Sequence, residues 1–165
     1  MKMMFLEGKW LYNTMVDMVY DKDADFKGFN PLVKQAKHFD KDKNEVISDL
    51  DFLPAVCKQS LKDQVWSSLK TIKTLRKRGH QKHGKLKFIS ELSALNFKQF
   101  GKTHKICSST TMQLVGVHGK IKVSGLQQLK KFKQIEFANA KLLNTPCGYY
   151  IALTCYIPTP KKRKN

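Results

Sequence analysis

LPAVCKQSLKDQVWSSLKTIKTLRKRG, residues 53–79, is the stretch on which the reading of the chain turns. Val56, Leu61, Val65, Leu69, Ile72 and Leu75 return at helical spacing and trace one apolar face. Lys58, Lys62, Lys70, Lys73 and Lys77 fall mostly off that face. The helix is predicted to start near Leu53–Pro54 and to run to about Lys77, and Gly79 suits the position just past its end. Trp66 is read as core in preference to a stacking side chain. Beyond Gly79 the texture changes. Apolar runs shorten to strand length, and turn-forming residues separate them. The expected class is therefore α+β.

Upstream, residues 3–20 read as a helix carried by Phe5, Trp10, Met15, Val16 and Val19, with Leu6, Leu11 and Tyr12 broadening the stripe. DKDADFKGFNP (21–31) is acidic, contains Gly28 and ends in Asn30–Pro31, which predicts a loop. PLVKQAKHFDKDK (31–43) is expected to form a short helix with Pro31 in its first turn. Residues 44–52 are expected to be a second acidic connection. Downstream, 86–100 holds short apolar runs around Ser90 and Asn96. Residues 103–107, 112–118 and 119–124 look like short strands. Residues 134–143 and 149–157 look like longer ones, joined by a turn over Asn144–Gly148. The expected organisation is a helical lobe over 1–80, a small antiparallel β-barrel module over 81–158 and a basic tail over 159–165.

Composition narrows the function classes. The chain has 165 residues, 41% of them apolar, including ten Phe, five Tyr and two Trp, which suffices for a modest core. No run approaches the roughly 18 apolar residues of a membrane span. Glu7 and Lys9 interrupt the apolar start, which does not fit a signal peptide. A soluble, cytoplasmic protein associated with RNA or the nucleoid, with no membrane partner, is expected. Cys57, Cys107, Cys147 and Cys155 form no close pair, so reduced thiols are expected and a zinc site is not. His80 and His83 lie among lysines and are read as solvated loop residues. No cofactor is expected.

Charge is the strongest bulk signal. Residues 1–63 carry ten basic and eleven acidic side chains, whereas 64–165 carry twenty-one basic residues and two acids, Glu91 and Glu136. A surface that is merely soluble intersperses its signs. Segregation of this kind fits a polyanion partner, because each neutralised phosphate releases condensed counterions. The densest segment is KTIKTLRKRGHQKHGKLK (70–87), with eight Lys or Arg and no acid. Lys70, Lys73, Arg76, Lys77, Arg78, Lys82, Lys85 and Lys87 are the candidate nucleic-acid-binding residues. A helix C-terminus disfavours phosphate, so contacts should come from these side chains and not from the helix dipole. Phe88, Phe97 and Phe100 lie among basic residues and are candidates for base stacking, although core is the preferred reading for them. No candidate catalytic residue emerges. Metal-dependent nucleases gather two or more carboxylates, and Glu91 and Glu136 are each the only acid in their segment. No phosphate loop, dinucleotide fingerprint or nucleophile elbow is present.

Four segments carry a family resemblance. They are FLEGKWLYN (5–13), LPAVCKQSLKDQVWSSLKTIKTLRKRG (53–79), GKLKFISELSALNFKQFGKTHKI (84–106), and KIKVSGLQQL followed by EFANAKLLNTPCGYYIALTCYIP (136–158). In this order and spacing the chain resembles the N-terminal part of the TnpB (OrfB) proteins of insertion sequences. These were long called transposases and are understood as RNA-guided DNA endonucleases related to type V CRISPR effectors. The resemblance implies a recognition-lobe helix at 53–79 and a wedge-like barrel after it. It implies RNA and DNA as partners in transposition or DNA recombination. In the family a strand precedes the KWLYN-like helix, so an incomplete barrel is expected here. The family's RuvC-like nuclease domain and zinc ribbon follow the barrel, and no residue of this chain matches their catalytic or ligand positions. The expectation is a truncated, non-enzymatic, nucleic-acid-binding fragment, with a separately encoded RuvC-like fragment as a partner. The other expectations are a stand-alone basic RNA-binding protein of the ribosome-associated kind, and a reading frame with no stably folded product.

Overall fold

A computed structural model describes residues 1–21, 25–79, 85–132 and 134–157. The fold is α+β and divides into two units, Met1–Leu95 and Asn96–Asn165. The first unit holds α1 (Lys2–Tyr20), β1 (Gln35–Phe39), β2 (Glu45–Asp49) and α2 (Ala55–Lys77). Met4, Phe5, Leu11, Tyr12, Met15 and Val16 bury one face of α1, as the apolar spacing requires. Trp10 lies at the edge of that face and is only half-buried. Gly8 faces the 92–95 segment so closely that an added Cβ would come within 2.6 Å of Leu92.

The helix expected over 31–43 is not formed. Residues 35–49 make an antiparallel hairpin, with Gln35 opposite Asp49, Lys37 opposite Ile47 and Phe39 opposite Glu45. The acidic connection expected over 44–52 is therefore largely strand β2. Two local features decide against helix. The Asp40 carboxylate accepts the backbone N–H groups of Asp42 and Asn44, each at 2.8 Å, and Lys43 takes a left-handed φ of 64°. That is Asx-turn chemistry. These bonds, that from the Asn44 N–H first, hold the Asp40 carboxyl below its ordinary pKa. EVISD then alternates and places β-branched Val46 and Ile47 in a strand.

A lone hairpin is marginal in water, and this one is tied to α1. The His38 ring stacks on Trp10 with centroids 4.1 Å apart and planes within 7°. His38 Nε2 is hydrogen-bonded to Ser48 Oγ at 2.8 Å. The Thr14 hydroxyl donates to the Lys37 carbonyl at 3.2 Å. Lys37 and Glu45 pair across the exposed face at 2.9 Å.

The start of α2 is set by a buried acid. Glu7 is 1% exposed, and its carboxylate accepts the N–H of Phe52 at 2.9 Å and of Leu53 at 2.7 Å. Pro54, at the N-cap, offers no side-chain cap of its own. Lys58 was expected off the apolar face but is buried, and its ammonium donates to the carbonyls of Val33 at 2.8 Å and Leu50 at 3.1 Å. Burial lowers its pKa, while Glu7 and Asp51 oppose the shift. Lys62 donates to the carbonyls of Lys27 and Phe29. The first turns of α2 thus direct their lysines to loop carbonyls, of which those of Phe29, Val33 and Leu50 are wholly or partly buried and need a partner.

Two three-stranded sheets follow α2 along the chain. One has β5 (Thr111–Leu114) between β4 (His104–Ile106) and β6 (Ile121–Lys122). In the other, β3 (Ala94–Phe97) and β8 (Gly148–Tyr156) flank β7 (Glu136–Thr145). Neither closes into a barrel among the described residues. A 3₁₀ helix, Leu126–Lys131, lies between β6 and β7 and was not anticipated. The hairpin of β7 and β8 turns at Pro146–Cys147, because Thr145 already pairs with Gly148, so both strands reach further into the expected turn.

Met112, Leu114, Leu126, Ala140 and Leu142 are buried, and so is His104 at 2% exposure. The Phe100 ring stacks on Phe137 at 4.8 Å and meets His104 edge-on at 5.5 Å. Among the described residues His104 Nε2 has no hydrogen-bond partner. Burial pushes its pKa below the ordinary 6.5. A proton therefore binds the unfolded chain more readily than the folded one. The neutral ring's contribution is complete above pH 6.5 and is lost as pH falls from there through the folded value. Thermal melts across this range should show stability dropping on acidification in the parent and a flatter profile in His104→Phe. Parallel profiles would refute a buried neutral imidazole.

Candidate nucleic-acid interface

Past Val65 no residue of α2 is fully buried, so the packed face ends sooner than the spacing of Leu69, Ile72 and Leu75 implied. Trp66, Leu69, Ile72 and Leu75 are half-buried. Trp66, expected in the core, has the Phe26 ring at 6.1 Å, and the Lys70 ammonium stands over the indole at 5.4 Å. Lys70, Lys73, Arg76 and Lys77 are exposed. Their i, i+3, i+6 and i+7 spacing puts them on one arc beside the apolar stripe. The arc covers roughly 10 Å of helix axis, the rise of about three phosphates in one strand of B-form DNA. Ser68, Thr71 and Thr74 turn their hydroxyls back to carbonyls four residues earlier, at 2.9, 3.0 and 2.9 Å, and leave the arc to the cations.

Arg78 follows as the C-cap, and Gly79, with φ of 80°, takes the left-handed turn that ends the helix. Arg76 and Lys77 lie in the last turn, where cations suit the negative end of the dipole. Lys85 and Lys87 are exposed on the segment that runs back along α1. Asn13 fastens that segment at both polar atoms of Ile89: its amide donates to the carbonyl at 3.0 Å and its oxygen accepts the N–H at 2.9 Å. The Tyr20 hydroxyl donates to the Leu86 carbonyl at 3.1 Å, and Lys85 stands 5.9 Å from the Tyr20 ring centre. Seven of the eight candidate cations are therefore exposed on α2 and the segment beginning at Lys85. Lys82, His80, His83 and the tail over 159–165 lie outside the described residues.

The three candidate stacking rings separate. Phe97 is 0% exposed and belongs to the core. Phe88 is 60% exposed beside Lys87, and Phe100 is 38% exposed. The second unit has a basic face of its own. Register places Lys105 opposite Gln113 and Thr111 opposite Lys122 on one side of the β4–β5–β6 sheet, away from Met112 and Leu114. Sequence reading missed Lys27, which lies near Trp66 and Lys73. Nothing in a one-dimensional pattern joins residues so far apart.

The remaining reactive groups have structural settings. Cys57 is buried, and burial pushes its thiol up to about 12, so it stays protonated. The other three cysteines are free thiols. Among the described residues, no three His, Cys, Asp or Glu side chains gather as a metal site. Among the same residues, no helix is long and apolar enough to cross a membrane. Comparison with protein-family models, curated proteins and solved structures finds no match to this chain.

Proposed function

We propose that this chain is a nucleic-acid-binding fragment of the TnpB type, holding RNA and DNA chiefly through their phosphates. The observation that carries this reading is the change along α2. Before Val65 its lysines are tied to loop carbonyls; after it, Lys70, Lys73, Arg76, Lys77 and Arg78 point to solvent with no ion pair among the described residues. Such cations give position without base identity. Sequence reading in guide-directed systems is delegated to base pairing, so a backbone-gripping surface is what the protein must supply. On this reading the two three-stranded sheets correspond to a wedge-like barrel. A second reading, a stand-alone basic RNA-binding protein, draws support from the separate basic face of Lys105 and Lys122. Coding sequence beyond codon 165 that specifies a RuvC-like strand and CxxC pairs would favour the first reading.

The proposal assigns the chain no catalysis. Glu7 is buried against backbone N–H groups, and Asp40 is occupied in its turn. The purified chain with Mg²⁺ and guide RNA is expected to leave plasmid DNA uncut. Metal-dependent cutting abolished by a single Asp or Glu substitution would refute this assignment.

A further inference from the structure

Between the end of α1 and the middle of α2 lies a groove of about 190 Å³. Met18, Val19, Phe26, Trp66 and Leu69 line it, and Lys27 and Lys73 complete the lining. Lys70 stands beside it over the indole. We propose that this groove takes one unstacked nucleobase of single-stranded or looped RNA, with the adjoining phosphates held by Lys27, Lys70 and Lys73. The inference rests on the proposed nucleic-acid function and gives it a site.

Three observations carry it. The groove is smaller than the roughly 300–1,000 Å³ of pockets for drug-sized ligands, which suits one flat ring system better than a docked helix. Among the described residues its lining is aromatic and aliphatic apart from the two lysines and contains no carboxylate. The cations come from both sides, Lys27 from the loop and Lys70 and Lys73 from α2, and so flank any ring placed in the groove. A nucleotide has this alternation of chemistry, a flat apolar face joined to an anion. Aromatic side chains among cations are how single strands are held without sequence preference. A lysine near an indole also makes its own cation–π contact, so Lys70 stands within reach of both the ring and an adjoining phosphate.

The chain has two tryptophans, Trp10 and Trp66. Trp10→Phe keeps a ring against His38 and leaves Trp66 as the only indole reporter. The full-length variant should be titrated with a single-stranded RNA of about ten nucleotides, and with an abasic ribose-phosphate oligomer of equal length and charge. The RNA is expected to quench indole emission, with a midpoint matching binding measured by anisotropy. The abasic oligomer should bind through the lysines and leave emission unchanged. In the parent background, Trp66→Leu should weaken RNA binding roughly tenfold to a hundredfold and leave abasic binding as it was. Equal quenching by both oligomers, or RNA bound without quenching, overturns the groove alone. Equal weakening of both ligands by Trp66→Leu also overturns it, since that marks structural damage. Failure of both oligomers to bind removes the proposed function along with it.

Discussion

Glu7→Ala is expected to destabilise the first unit by roughly 2–4 kcal/mol, because it strands two backbone donors at about 1–3 kcal/mol each, with Phe52, whose bond is only part-buried, at the low end of that range. The N–H groups of Phe52 and Leu53 point at one carboxylate, and Pro54 offers no side-chain cap in its place. A loss of this size is a large share of the roughly 5–15 kcal/mol that holds an ordinary domain together. Glu7→Gln should cost less, since its amide oxygen can still accept. The comparison also depends on pH. Burial raises the Glu7 carboxyl above the usual 4.5, against the opposing pull of the Leu53 and Phe52 N–H groups. A raised carboxyl contributes stability below pH 4.5 and loses it as pH rises through the folded value. The advantage of the parent over Glu7→Gln should therefore shrink from acid towards neutral pH. Urea unfolding of all three proteins would measure it. An Ala variant within about 0.5 kcal/mol of the parent, the range of an ordinary surface change, would show that Glu7 does not organise the start of α2.

Glu7 also marks where sequence reading fails. In the linear chain it is an acid interrupting an apolar run, and its partners lie at residues 52 and 53. The spans of α1 and α2 were legible because apolar spacing, with Pro54 and Gly79 at the ends of α2, is a local signal, whereas the Glu7 bonds that fasten the start of α2 are not. The hairpin over 35–49 was misread because Pro31 and the polar texture of 31–43 suit a helix start as well as a turn. Asp40, Lys43 and Asn44 settle the matter through bonds that no periodicity displays. In the candidate interface the basic run was legible as composition. What could not be read was the division of the α2 lysines into internal struts and exposed cations. Lys58 and Lys62 are occupied because carbonyls from 27–33 and 50 reach them in three dimensions, whereas Lys70 and Lys73 are exposed where burial stops after Val65. The fates of Phe88, Phe97 and Phe100 were hidden for the same reason.

That division bears on the largest binding effect expected. Replacing Lys73, Arg76, Lys77 and Arg78 together by Ala should weaken binding of structured RNA by roughly two to three orders of magnitude near 0.1 M salt. The magnitude of the slope of log K against log salt should fall by roughly 3, from about 0.7–0.9 per lost phosphate contact. The loss should be nearly the same for unrelated sequences, because phosphate contacts carry no base identity. Folding should survive, since three of the four positions are exposed helix sites where Ala is the best helix former. The cost there is a weaker complement to the helix dipole. The control is Lys41→Ala with Lys43→Ala, which removes cations from the hairpin turn, where Asp40 and Asp42 already balance them. That pair should change the slope little. Circular dichroism would confirm the helices, and titrations at several salt concentrations would separate electrostatic loss from misfolding. If the α2 variant keeps the parent's slope, or the hairpin variant loses as much, the phosphate-gripping surface lies elsewhere on the chain.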